Sequence, residues 1–415
     1  MTDFLTDDEA AAYAEATQPD DATILPAPSD PIAVARTLVA ALFTFGGLLS
    51  LRHWRGGWWL WLGSHWAEVE ERRLRRDAYL YTENAAYINR AGAWQPWAPT
   101  SSKISGVLDA TAAVAHLDAG VDQPAWIGDG GPPVVATANG LLDMGRRVLL
   151  PHTPEYFNQT AVPCGYDPAA PVPSGWLAFL SKLWPDDPDS IAVLQEWFGY
   201  VIGGRSDQHK ILLLVGPTRG GKGVITRILG RLVGSRNVAG PTMASLGTPF
   251  GLAPLVGRVL AVISDARLDA SRDASVIVER LLAISGEDTI TVDIKYHEQW
   301  TGKLPTRFVV VSNELPRLGD ASGTIANRFV ALLLHESWLG REDHGLESAL
   351  AEELPGILNW ALEGLDRLAA QGRFTRPAST DEAIIAIQDL ASPVAAFVRE
   401  QCIVGPYEVA VQAIF

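Results

Sequence analysis

Residues 212–229 read LLLVGPTRGGKGVITRIL: an apolar run, a glycine-rich turn, a lysine, and then a helical pattern. Gly216, Pro217, Thr218, Arg219, Gly220, Gly221 and Lys222 fit the spacing G-x-x-x-x-G-K. Glycines at those places let backbone N–H groups turn inward as an anion nest. The helix that follows points its positive end at the same spot, and the lysine reaches the outer phosphates. Such a loop needs a strand before it and a helix after it, and both are predicted here. The reading is a nucleotide site made by Gly216 to Val224. One position departs from the pattern. The residue after the lysine, where a hydroxyl would ligate magnesium, is Gly223, and Val224 follows. Thr226 lies roughly 4.5 Å further along the helix axis, too far for direct ligation. The expectation is that Mg²⁺ keeps an extra water, as it readily does.

Strands and helices alternate around this loop. KILLLVG, RVLAVISD, RFVVVSN and RFVALLL are continuous apolar runs, separated by the helical patterns GKGVITRILGRLVG and DASVIVERLLAISG. Such runs argue an α/β fold with a largely parallel sheet covered on both faces. DTITVDIKYHEQWTGKLPT reads as a hairpin. The ATPase-like region spans about 175–335. Helices are expected over 336–415, with Pro355 at a break and Ser379 or Thr380 as an N-cap. The apolar ending VGPYEVAVQAIF leads us to expect a further small domain beyond it.

Before the loop, residues 31–170 read as a mixed α+β region. IAVARTLVAALFTFGGLL contains Arg36 and is interrupted by Gly46-Gly47, so a buried helix is preferred to a membrane span. Trp54, Trp58, Trp59, Trp61 and Trp66 lie on predicted hairpins. They could stack on bases, but the core of a small sheet is the preferred reading. The arginines of EERRLRRDAYLYTENAAYI fit a solvated helix face better than a nucleic-acid contact. VVATANGLLDMGRR reads as two strands around an Asn139-Gly140 turn. Residues 1–30 are acidic and end Pro-rich, and read as a disordered tail without the pattern of a signal peptide.

The net charge is -15, which argues against a wide basic surface, so any DNA contact is expected to be local. Two cysteines, Cys164 and Cys402, give no disulfide framework or zinc site. A reducing bacterial cytoplasm is the expected compartment.

Three further residues carry chemistry. Asp265 ends an apolar strand, where a carboxylate holds magnesium through water and polarises the attacking water. The plain alternative is an ordinary strand-end aspartate. Asn313 ends RFVVVSN, where its amide can orient water beside the γ-phosphate; the alternative is a simple turn. Arg328 follows in GTIANRF. In a ring it can stabilise charge on the next subunit's nucleotide; alone it is a surface residue.

The order GPTRGGKG, VLAVISD, GEDTITVDIKYHEQW and VVVSNELPRL followed by an arginine resembles superfamily 3 helicases. More closely it is similar to the phage and plasmid primase-helicases related to the poxvirus primase-helicase. VERLLAISGEDTITVD and LPGILNWALEGLDRL share that resemblance, as does the Trp-rich region before the loop. The resemblance implies an AAA+-like ATPase that assembles as a homo-hexamer on DNA, with ATP between subunits. It gives Lys222, Asp265 and Asn313 the Walker A, Walker B and sensor roles, and Arg328 that of a finger in trans. It makes the hairpin with Lys295, His297 and Lys303 a DNA-gripping pore loop. Many relatives carry two acids where this chain has Ser264 and Asp265. No polymerase-type primase region is evident, so a separate primase or replication protein is the expected partner. Two rivals stay open: an ATP-controlled DNA-binding ring without processive unwinding, and a small-molecule kinase sharing only the loop.

Overall fold

In the computed structural model, residues 23–128, 130–264, 274–295, 299–316, 324–391, 397 and 401 are described. They form two compact units. The first comprises residues up to Pro132 together with Pro151–Gln159; the second takes Pro133–Leu150 and the residues from Thr160 onward.

The chain crosses between these units three times. Strands β4 (Val134–Thr137) and β5 (Gly140–Asp143) form the expected hairpin around Asn139-Gly140. Their Val135 and Leu142 are buried with Trp176 and Phe179 in the second unit's core. A hairpin goes where its apolar face is covered, whatever its place in the sequence.

In the first unit, helix α1 (Pro31–Leu42) starts at Pro31, with Asp30 accepting a hydrogen bond from Ala33 N. Val34, Ala35, Leu38 and Val39 form its buried stripe. The chain then turns through Gly46 and Gly47, so the apolar stretch is a short helix plus a two-stranded ribbon. Among the described residues no helix is long and apolar enough to cross a membrane. Strands β1 (Leu51–Trp54), β2 (Gly57–Trp61) and β3 (Trp66–Val69) make an antiparallel sheet. Trp54, Trp58, Trp61 and Trp66 are buried. Trp54, Trp59 and Trp66 set their edges around Phe157, with ring centroids 5.2, 5.9 and 5.5 Å away. The tryptophans are core. Helix α2 (Glu71–Thr82) stops earlier than its pattern suggested, because Ala85–Ile88 pairs as a strand with Thr23–Ile24. Arg72, Arg73 and Arg76 are exposed on α2, and helix α3 (Ser101–Val114) packs beside it.

The second unit is built on a five-stranded sheet, parallel throughout. Before it come helices α4 (Ser174–Leu183) and α5 (Pro188–Ile202), the latter capped by Asp187. Strand β6 (Ile211–Val215) leads through the glycine loop into helix α6 (Lys222–Val233). Strands β7 (Val238–Ala239) and β8 (Leu260–Ile263), helix α7 (Ala274–Ser285) and hairpin β9 (Ile290–Val292) with β10 (Trp300–Gly302) follow. Strands β11 (Arg307–Ser312) and β12 (Phe329–Leu333) complete the sheet in the order β7-β8-β11-β6-β12.

All five residues of β6 are buried, and the strand's alternation divides them between two cores. Leu212 and Leu214 join residues of α4, α5 and α6, together with α9 (Leu354–Gln371, which follows α8, Leu346–Glu352). Ile211, Leu213 and Val215 join α7 and helix α10 (Ala378–Ala391). Helices therefore cover both faces of the sheet, and the C-terminal helices belong to this unit. Helix α10 begins ahead of the cap expected at Ser379 or Thr380. Thr380 instead donates its hydroxyl to Ala331 O at 2.5 Å, tying α10 to β12.

Helices α5 and α9 cross on glycine. A Cβ on Gly199 would lie 2.3 Å from Ala361 O, and one on Gly364 would lie 2.4 Å from Gln195 O. Beside the crossing, fully buried Glu196 accepts from Arg367 at 2.7 Å. At the N-terminal end of the sheet, Arg307 is 6% exposed and donates to the carbonyls of Gly204, Arg205 and Pro305. Its guanidinium lies 5.5 Å over the Tyr200 ring.

Candidate functional site

The C-terminal end of β6 carries the glycine loop, and two glycines show why it has this composition. A Cβ on Gly216 would sit 2.5 Å from Leu334 O, so only glycine allows that approach. Gly221 caps α6 with φ 92°, a left-handed conformation.

Lys222 opens α6 and is 7% exposed. Its Nζ donates to Gly216 O at 2.5 Å, Pro217 O at 2.7 Å and Asn313 Oδ1 at 3.1 Å. Asn313 follows β11, whose Ser312 pairs with Val215 at the end of β6. Parallel register thus brings residues 91 positions apart to one mouth. Burial pushes the Lys222 ammonium below its ordinary pKa. All three acceptors are neutral, so the buried cation has no counter-charge in this contact set. An anionic oxygen offered there would exchange favourably for a carbonyl or the Asn313 amide. The residues therefore fit a phosphate group.

The loop is strapped from outside. Leu334 N donates to Val215 O at 2.7 Å, Ser337 Oγ to Thr218 O at 2.8 Å and Trp338 N to Arg219 O at 3.2 Å. Arg219 has φ 60° and pairs with Glu342 at 3.4 Å. No local pattern announces this strap, because its bonds join residues more than a hundred positions apart.

Val224 is half-buried beside the core. The Thr226 hydroxyl donates to Gly223 O at 3.1 Å, within its own helix. Asp265 lies outside the described residues; β8, which leads to it, ends at Ile263 beside Val310 of β11. Among the described residues no group of three or more His, Cys, Asp or Glu side chains is placed to hold a metal.

Arg328 is not brought to Lys222. It precedes β12, where Phe329 pairs with Ile211, so it stands at the other end of the sheet. A five-residue strand separates the two, roughly 16 Å at the usual rise. Its Nη1 donates to His209 O at 3.3 Å. On the β9–β10 hairpin, Lys295 and Lys303 are both exposed, and His297 lies outside the described residues. Ile290 of β9 and Trp300 of β10 pack on the core shared with α7.

Residues 50–185 match the family model described as "D5 N terminal like". Residues 214–328 match a family of unknown function, DUF5906. The fold is similar to apo structures of the NrS-1 C terminal region. The A form is 11% identical, covers 89% of this chain and 78% of that one, and has a TM-score of 0.56. The structure of its residues 305–718 is 14% identical, covers 88% and 76%, and has the same TM-score. At 11% and 14% identity, this likeness shows the fold. The DUF5906 match begins inside β6 and ends at Arg328, so it takes in the loop, Asn313 and the hairpin.

Proposed function

We propose that this chain is an ATP-driven DNA helicase or translocase that works as a hexameric ring in phage, satellite or plasmid replication. The observation that carries the reading is the buried Lys222, held only by neutral oxygens and touching Asn313 from the neighbouring strand. Lys222 and the backbone of Gly216 to Val224 hold the phosphates of ATP. As they bind, Lys222 gives up carbonyl and amide oxygens for phosphate oxygens. Asn313, released from the ammonium, orients a water beside the γ-phosphate. Asp265 holds the metal through water in this reading. Magnesium, when bound, would supply charge that offsets that of the phosphates. The place of Arg328 at the far end of the sheet supports a role on another copy's nucleotide rather than its own. Lys295, His297 and Lys303, repeated around a ring, give a basic channel inside an acidic particle.

The test is strand displacement from a forked duplex with ATP. The wild type is expected to separate the strands, and Lys222→Ala to lose the activity. The missing hydroxyl at Gly223 favours a second reading, an ATP-controlled ring that grips DNA without processive unwinding. Tight, ATP-dependent DNA binding without displacement would select it. A strictly monomeric particle in sedimentation with ATP and DNA would sink both in favour of a kinase.

A further inference from the structure

The side chain that follows the loop lysine points at the metal in loops of this spacing, and here it is only hydrogen. Its space is filled. A Cβ on Gly223 would lie 2.8 Å from Arg227 Nη1 and 3.6 Å from Arg227 Cζ. Arg227 stands one turn along α6, and helical side chains lean toward the N-terminus, which carries its guanidinium back to the first turn. The head is anchored there. Arg227 Nε donates to Glu347 Oε2 at 2.5 Å, and Arg231 Nη2 to Glu347 Oε1 at 2.8 Å. Glu347 belongs to α8, so two elements hold the group in place. Two guanidiniums on one carboxylate leave one positive charge in surplus. The two arginines also hold the Glu347 carboxyl below its ordinary pKa, Arg231 contributing most, so that carboxylate stays charged and the anchor stays intact.

We propose that Arg227 is a phosphate ligand of the nucleotide site, its guanidinium standing where the loop's metal-binding hydroxyl would be. The inference rests on the nucleotide reading of the Lys222 loop. Gly223 and Arg227 then form a pair: the glycine leaves the room, and the arginine brings a cation that needs no metal to reach phosphate oxygens. Guanidinium suits the task because its planar fork meets two oxygens at once. Binding of a nucleoside triphosphate is therefore less dependent on magnesium than in a loop with Ser or Thr at this place.

The experiment titrates the full chain with a fluorescent, non-hydrolysable ATP analogue, in magnesium and in excess chelator. For the wild type, chelation is expected to weaken Kd by less than about threefold. For Arg227→Ala, the same chelation is expected to weaken it by about tenfold or more, the loss of one charge-assisted contact. Adding Gly223→Ser to Arg227→Ala is expected to tighten binding in magnesium alone, because only then does a hydroxyl meet a metal. The ratio of the two Kd values separates this role from a surface ion pair, whose loss would move both equally. An unchanged ratio in Arg227→Ala, with binding still abolished by Lys222→Ala, overturns the inference and spares the nucleotide reading. Absence of binding in the wild type, or binding indifferent to Lys222→Ala, overturns both.

Discussion

Lys222 and Arg307 are two buried cations at opposite ends of one parallel sheet, and main-chain carbonyls hold both. Burial lowers the pKa of each. Their surroundings differ. Arg307 turns its fork onto three carbonyls and is roofed by Tyr200, so a ligand has no approach to it. Lys222 lies next to exposed Asn313 and Thr218, and its three donors rest on oxygens that can be exchanged. A desolvated charge is thus not in itself the mark of a working site. What separates the two ends is access, together with whether the partners are fixed or replaceable.

The largest effect that tests this contrast is on stability. Arg307→Ala orphans three carbonyls, and the expected loss is about 3 kcal/mol in denaturant unfolding. A loss under about 1 kcal/mol would show that the sealed end is no anchor. Next comes Lys222→Met. Nucleotide binding should fall about 100-fold, the value of a charge-assisted contact, while stability moves by less than about 1 kcal/mol. If it unfolds as readily as Arg307→Ala, the two cations are alike and the contrast fails. The smallest effect sharpens the comparison through pH. The native pKa of Lys222 lies below its ordinary 10.5, so between those two values the unfolded chain binds more protons than the folded one. Stability contributed by this group therefore rises with pH across that window, as the cost of burying the charge is relieved. The gap in unfolding midpoint between wild type and Lys222→Met should shift in favour of wild type as pH climbs toward 10.5. A shift the other way would contradict the burial.

Much of the second unit was legible because its signals are local. Continuous Val, Ile and Leu runs announced β6, β8, β11 and β12, and glycine spacing announced the loop between β6 and α6. Signals that depend on distant partners were not legible. Nothing near Val135 or Leu142 says that Trp176 will be buried with them. Thr380 looked like a cap because its partner, Ala331 O, is far back in the chain. Arg307 looked like an ordinary strand opening, since its three acceptors come from turns. The filling of the space beside Gly223 by Arg227 depends on a side-chain path that spacing suggests only once the glycine is seen as a vacancy on the same helical face.

The glycine crossing of α5 and α9 has a consequence for the birth of the protein. The face of α5 around Gly199 leaves the ribosome well before the residues that cover it, around Gly364. At ordinary translation speeds that delay is roughly ten to thirty seconds, with Trp197 and Phe198 of the nascent chain still wanting their shelter. A slow ribosome or a scarcity of chaperones should therefore cost this protein more yield than one whose neighbours in space are also neighbours in synthesis.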